Sequence, residues 1–274
     1  MTTGSDALSA PNRMPSVAEL RAVVQPPEQM SRYNAEHWVG GLYMRKVSLH
    51  VTRYLIPTGI SANGVTWLLI FSGIAGAACL LVPGVWGPLL CALLMQVQIL
   101  FDCSDGEVAR WRQKFSPAGI YLDRVGHYTT ESSLPIFLGL RADGVGTDGS
   151  WQPGGWTTLG LLVAVVVLLN KSFTDLVHVA RAHTGLPKVQ DHASVSKSRV
   201  SGLAAVRQAV GYLPFFRAFV AVEFSLLALV AGIFDQVRGD LDATQVLLAV
   251  MVPLVFITAG GHLLGVLSSS RLKA

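Results

Sequence analysis

The chain has 274 residues, of which 51% are hydrophobic and only 14% are charged, with a mean hydropathy of +0.48 and a formal net charge of +4. Soluble domains carry about 25% charged residues, so this composition excludes an ordinary soluble domain and indicates an integral membrane protein. The three cysteines, Cys79, Cys91 and Cys103, form no C-x2-C pair and no disulfide framework. They are predicted to be free thiols in apolar packing.

Residues 1–35 are predicted to form a flexible cytoplasmic tail, because they are rich in Pro, Ser and charge and lack the apolar core of a secretory signal. Ser16 and Glu19 have the spacing of a capping box, which predicts one short helix in this tail. Residues 36–57 mix apolar and basic residues at helical spacing, which predicts an amphipathic helix in the inner membrane interface. A solvated cytoplasmic helix is the alternative. The aromatic residues that would anchor the interfacial helix are Trp38, Tyr43 and Tyr54.

Residues 58–274 contain six apolar runs of about the length that crosses a bilayer. They lie near 62–82, 85–108, 117–140, 155–178, 214–234 and 243–268, and Gly and Pro residues lie at their ends. The predicted fold class is therefore an all-α integral membrane protein with six transmembrane helices, preceded by an amphipathic juxtamembrane helix.

The distribution of Lys and Arg predicts the orientation of these spans. Six spans place both termini on one side, and that side receives all but three of the 21 Lys and Arg residues. The exceptions are Arg124, Arg141 and Arg238. By the positive-inside rule both termini are predicted to be cytoplasmic, in a protein of the plasma membrane.

The strongest functional signal is a set of ionisable residues at the end of the second span and the start of the third. Asp102, Asp105 and Arg110 fall at i, i+3 and i+8, so they share one face of a helix. Asp123 and His127 are four residues apart and also share a face. Ionisable groups at membrane depth are costly and mark functional sites. The short connection between the spans makes the helices antiparallel neighbours, so the two faces are predicted to meet near the cytoplasmic surface.

Clustered carboxylates repel one another and need a counter-charge. A divalent cation supplies it, and oxygen ligands that also bind a phosphate-bearing substrate suit Mg²⁺ or Mn²⁺. Gly106, Ala109 and Gly119 keep the neighbouring wall free of large side chains, so that a ligand can approach the backbone. Arg110 can pair with a phosphate through its guanidinium fork.

The spacing of these residues, D-x2-D-G-x2-A-R-x8-G-x3-D-x3-H, closely resembles the motif of the CDP-alcohol phosphotransferase family, whose last position is a fourth Asp. His127 stands at that position here. The family also has an Asn-x2-Thr near the start of the first span, commonly after a Pro. Asn63 and Thr66 keep this pattern without the Pro, and the match spans roughly residues 42–270.

The resemblance implies a metal-dependent phosphotransferase of phospholipid or related phosphodiester biosynthesis. A CDP-linked donor would transfer its substituted phosphate to an alcohol acceptor, such as a phosphorylated polyol, with release of CMP. It further implies a homodimer among membrane lipids. The predicted orientation places the active site on the cytoplasmic side, and no nucleic-acid partner is expected, because the placement of the basic residues follows membrane topology. The implied metal ligands are Asp102, Asp105, Asp123 and His127. The implied substrate-binding residues are Asn63, Thr66, Asp105, Gly106, Ala109, Arg110 and Gly119.

The role of His127 stays open at this point. His127 stands where the family has its catalytic base, so it can act as a general base or ligate a metal, together with Asp123. Glu131, one turn further along, can support the imidazole or replace it as the base. The alternatives to an active enzyme are a catalytically degenerate membrane paralogue that binds CDP compounds and an ion-coupled transporter.

Overall fold

The computed structural model describes residues 13–26, 39–146, 152–187 and 214–272, and all regular secondary structure within these ranges is helical. The α-helices are Val17–Val24 (α1), Arg45–Leu55 (α2), Ala62–Ala78 (α3), Trp86–Trp111 (α4), Pro117–Ala142 (α5), Gly155–His183 (α6), Ala221–Arg238 (α7) and Asp242–Ser268 (α8). A π-helical turn, Gly40–Met44, precedes α2, and short 3-10 helices lie at Ile56–Thr58, Cys79–Leu81, Pro214–Phe219 and Ser270–Leu272. Trp38, predicted as an anchor, and most of the predicted tail lie outside the described residues.

The all-α prediction is confirmed for the described part of the chain, and each predicted span contains a helix. Four helical segments, Ala62–Leu81, α4, α6 and α8, are long and apolar enough to cross a membrane, judged by length and composition. Among the described helices, α5 and α7 are not in this set of four. The fifth span was predicted from residue 214, but α7 begins at Ala221 because Val220 has an extended backbone after the 3-10 turn.

The chain divides into two compact units, and the first consists of the described residues up to Gly73 together with Leu94–His127. It contains α1, α2 and most of α3, with the second half of α4 and the start of α5. Its buried apolar cluster comprises Leu20, Val24, Leu49, Ile56 and Trp111. The predicted cap of α1 is present, since Ser16 Oγ accepts a hydrogen bond from the Glu19 amide at 3.2 Å.

Within this unit α3 and α5 approach each other closely at Gly126. A Cβ atom on Gly126 would lie only 2.6 Å from Leu69 Cδ2 and 3.1 Å from Ile70 Cγ1. A contact of 2.6 Å is too short for real atoms, so a larger residue here would have to displace the Leu69 side chain. The absence of a side chain at Gly126 therefore lets these helices pack.

A tight reversal connects α4 to α5. Gln113 adopts a positive φ of 52°, and its amide donates to the Arg110 carbonyl at 3.3 Å. Ser116 Oγ then accepts a hydrogen bond from the Gly119 amide at 3.0 Å, which caps the start of α5. Pro117 stands in the first turn, where its missing N–H costs nothing. This reversal makes the two helices antiparallel, as the short connection predicted.

The second unit comprises Ile74–Leu93 and the described residues from Tyr128 onward, and α8 packs along α6 within it. Arg141 is 1% exposed and donates hydrogen bonds to the carbonyl oxygens of Leu80, Val82 and Gly84 at 3.0–3.2 Å. These contacts satisfy carbonyl groups at the end of the 3-10 turn that follows α3. The buried guanidinium is therefore paired and has a structural role.

Asp143 caps the start of α6 in the same unit. Its carboxylate accepts hydrogen bonds from the amides of Gly154 and Thr157, each at 2.7 Å, and from the Thr157 hydroxyl at 2.6 Å. Burial acts to raise the pKa of Asp143, but these hydrogen bonds outweigh it and hold the pKa below its ordinary value of 3.8. The carboxylate thus stabilises the helix in its charged form.

Candidate functional site

The ionisable faces of α4 and α5 meet within the first unit. Potential ligand atoms of Asp102, Asp123 and His127 all lie within 4.8 Å of one another. His127 Nε2 is 3.1 Å from Asp102 Oδ1 and 3.5 Å from Asp123 Oδ1. The imidazole nitrogen therefore points between two carboxylates that come from different helices.

These three side chains are accessible to a ligand. Asp102, His127 and Asp123 are 29%, 33% and 38% exposed, respectively, which places them at the wall of an open site rather than in the core. Carboxylates that served only to bridge helices would be expected to be fully buried and paired. Partial exposure fits groups that exchange water for a substrate or a cation.

Asp105 is oriented by α3. The Thr66 hydroxyl, which is 2% exposed, donates to Asp105 Oδ2 at 2.8 Å. Asp105 also interacts electrostatically with Asp102 and Asp123, although it stands outside the 4.8 Å group. Of the four predicted metal ligands, the structure thus brings three together and places the fourth beside them, fixed by a hydroxyl from the neighbouring helix.

The small residues of the motif lie where polar side chains approach closely. A Cβ atom on Gly119 would lie 3.1 Å from Asn63 Oδ1, so the beginnings of α3 and α5 converge at this point. A Cβ atom on Gly106 would lie 3.0 Å from Arg110 Nη1, so the guanidinium folds back over that glycine. Ala109 is half-buried on the same helix. The predicted substrate-binding residues therefore lie along α3, α4 and the start of α5 in one unit.

Glu107 is a residue that the sequence argument missed. Its carboxylate is fully buried and accepts hydrogen bonds from Gln25 Nε2, Ser48 Oγ and Thr52 Oγ1, each at 2.7 Å. It occupies one of the x positions of the motif, where the family pattern specifies no residue type. Two features of the sequence could have identified Glu107: it is a carboxylate in apolar sequence, and two hydroxyl residues, Ser48 and Thr52, are spaced one turn apart on α2.

Glu131, a predicted alternative base, lies in the second unit. It is 4% exposed, and its Oε1 lies 2.6 Å from Lys171 Nζ. The ammonium group of Lys171 therefore already occupies this carboxylate as an ion-pair partner. The structure gives Glu131 an ion-pair partner that the sequence argument did not identify.

The donor atoms of the site suit a divalent cation. Carboxylate oxygens from three aspartates are the ligands that Mg²⁺ and Mn²⁺ prefer, and clustered anions of this kind call for a positive counter-charge. The imidazole of His127 adds a nitrogen donor, which is a better ligand for Mn²⁺ than for Mg²⁺. The residues present therefore fit a metal-assisted reaction of a phosphate-bearing substrate.

Comparison with known proteins agrees with this chemistry. A family model, CDP-alcohol phosphatidyltransferase, matches residues 59–257, which include α3 to α7, much of α8 and the whole acidic motif. No curated protein matches the chain. The match covers well over half of the sequence and contains every residue of the acidic site described above. The chain therefore belongs to the CDP-alcohol phosphatidyltransferase family.

Proposed function

We propose that this protein is a CDP-alcohol phosphotransferase that moves a substituted phosphate from a CDP-linked donor to an alcohol acceptor and releases CMP, in phospholipid or related phosphodiester biosynthesis. The observation that carries the proposal is the group formed by Asp102, Asp123 and His127 on adjacent helices, with potential ligand atoms within 4.8 Å. Family membership supports the same reaction class.

Asp102, Asp105 and Asp123 would hold Mg²⁺ or Mn²⁺ in this proposal. When bound, such a cation stabilises the negative charge that develops on the transferring phosphoryl group and the departing CMP. Thr66 keeps the Asp105 carboxylate in position through its 2.8 Å hydrogen bond. Because Thr66 is buried, that orientation exists before the donor arrives.

His127 is assigned as the group that takes the proton of the acceptor hydroxyl at Nε2. The hydroxyl oxygen attacks the phosphorus distal to cytidine, the bond to CMP breaks, and the proton passes to the imidazole. Once the proton has been taken, the new Nε2–H would donate a hydrogen bond to Asp102 Oδ1, 3.1 Å away, and this contact stabilises the imidazolium. Glu131 is not assigned this role, because Lys171 already holds its carboxylate.

The donor side of the site is assigned to Asn63, Gly106, Ala109, Arg110 and Gly119. The Arg110 guanidinium offers a planar set of donors to the diphosphate. The two glycines give the nucleotide room beside the backbone. This assignment is supported by the approach of Asn63 to Gly119 and of Arg110 to Gly106.

We further propose that all six long helices, including α5 and α7, cross the plasma membrane, with both termini and the site at the cytoplasmic face. The Lys and Arg distribution supports this orientation. Within the predicted interfacial segment, α2 would then lie at the inner interface, and the nearby Tyr43 and Tyr54 are exposed as anchors there would be. A homodimer is expected from the family resemblance.

Release of CMP by the purified protein in detergent tests the proposed reaction. The assay uses a panel of CDP-linked donors and alcohol acceptors with Mg²⁺ or Mn²⁺. The Asp102→Asn variant should lose turnover, whereas Asp242→Asn, which changes an exposed carboxylate paired with Arg238, should retain it. Absence of CMP release with every donor, or equal turnover in the two variants, would contradict the proposal.

A further inference from the structure

The N-terminal helix α1 is docked on the segments that carry the motif. Leu20 and Val24 are fully buried, and they form one apolar cluster with Leu49 of α2 and Trp111 of α4. Trp111 directly follows the motif residue Arg110. Burial of these two aliphatic side chains favours the docked position of α1. This helix therefore has a defined position beside the site.

The end of α1 contacts the motif itself through two polar links. Gln25 Nε2 donates to Glu107 Oε1 at 2.7 Å and to the Arg45 carbonyl at 2.8 Å. Arg110 Nε donates to the Val24 carbonyl at 2.6 Å. The Glu107 carboxylate also binds hydroxyls of α2, so it joins α1 and α2 to the helix that carries the acidic residues.

The bond to Val24 fixes the orientation of the Arg110 guanidinium. The carbonyls in the last turn of a helix lack intrahelical partners and carry partial negative charge, so they attract a cation. A guanidinium is planar, and anchoring its Nε therefore determines where the two Nη groups point. Arg110 Nη1 lies over Gly106, on the face of α4 that carries the aspartates.

We infer that α1 is a positioning element of the transferase site. Its docked C-terminal turn holds the Arg110 guanidinium in the geometry that receives the diphosphate of the donor. The inference rests on the proposed function, because it takes a CDP-linked compound as the ligand. Orientation before binding removes an entropic cost of association, so loss of docking weakens binding of the diphosphate.

The test compares Leu20→Asp with Ala22→Asp in the full-length chain. Leu20 is fully buried in the docking cluster, whereas Ala22 is exposed on the same helix, so both variants add the same charge and only the first undocks α1. Hydrogen exchange over residues 17–26 reports docking. Equilibrium binding of CDP with Mg²⁺ reports the diphosphate site without requiring turnover.

The expected result for Leu20→Asp is faster exchange over α1 and a Kd for CDP that rises about tenfold, the size of one hydrogen bond to a charged group. The KM for the donor should rise in parallel, while kcat and the KM for the acceptor change little. Ala22→Asp should match the wild type in all of these measurements. Gln25→Ala, which removes the hydrogen bonds to Glu107 and to the Arg45 carbonyl but keeps the buried Leu20 and Val24, should raise the Kd for CDP by a smaller factor.

The outcomes separate the two claims. If the wild type binds CDP and Leu20→Asp exchanges faster but binds CDP equally well, the positioning role is overturned and the proposed function stands. Equal weakening by Ala22→Asp would also overturn it, because added charge alone would then explain the effect. A wild type that binds no CDP would remove the proposed function itself.

Discussion

Replacing Thr66 with Val tests whether the hydroxyl of α3 prepares Asp105 for catalysis. Val has nearly the same shape as Thr, so the change removes the 2.8 Å hydrogen bond to Asp105 Oδ2 and the intrahelical contact to the Ala62 carbonyl without altering the packing. A hydrogen bond to a charged group contributes about 1.5–3 kcal/mol. Since Thr66 is 2% exposed, water is not expected to replace the lost donor. We therefore expect kcat/KM for CMP release to fall about ten- to hundredfold.

The matched control is Thr258→Val in α8. The Thr258 hydroxyl donates to the Leu254 carbonyl at 2.8 Å, and Thr66 makes the equivalent bond to the Ala62 carbonyl at 3.1 Å. The control thus removes the intrahelical bond alone. Turnover should be titrated against Mg²⁺ concentration in both variants, and Thr66→Val should require more metal. Equal turnover and equal metal dependence in Thr66→Val and wild type would refute the role assigned to this hydroxyl.

Three further changes test the packing and the electrostatics of the fold. Thr52→Val removes one of three hydrogen bonds to buried Glu107, and thermal unfolding in detergent should show a loss of about 1.5–3 kcal/mol. Gly126→Ala should destabilise the protein by about 1–3 kcal/mol in the same assay, whereas Gly265→Ala, which has open space around it inside a helix, should not destabilise the protein. The pKa of Asp143 is lower in the folded protein, so its stabilising effect is present above its ordinary value of 3.8 and is lost as pH falls below it. Wild type should therefore be more stable than Asp143→Asn at pH 7, and a difference that persists unchanged at pH 3 would contradict this account.

The meeting of α4 and α5 could be predicted from sequence because it depends on local spacing. Asp123 and His127 are four residues apart, and a short connection joins their helix to the one that carries Asp102. Helical periodicity and antiparallel connection were enough to bring the acidic faces together. The approach of Asn63 to Gly119 was less directly predictable, because it depends on how α3 packs on α5.

The docking of α1 could not be predicted in the same way. Gln25 and Glu107 are 82 positions apart, and no local pattern links them. The polar, Pro-rich composition of the N-terminal residues also indicated a flexible tail. The overall composition of this segment does not reveal that Leu20 and Val24 lie one turn apart and can be buried together. The start of α7 at Ala221 was missed because hydropathy does not report the extended backbone of Val220.

The most direct test of the central claim is CMP release by wild type, His127→Ala and His127→Asp, with His50→Ala as an exposed control on α2. A general base contributes at least about a hundredfold to the rate, so His127→Ala should lose that factor while His50→Ala keeps full turnover. His127→Asp should recover part of the activity, because the family motif has Asp at this position. If His127→Ala turns over as fast as wild type, or if only His127→Asp releases CMP, the assignment of His127 as the working base of an active transferase is wrong.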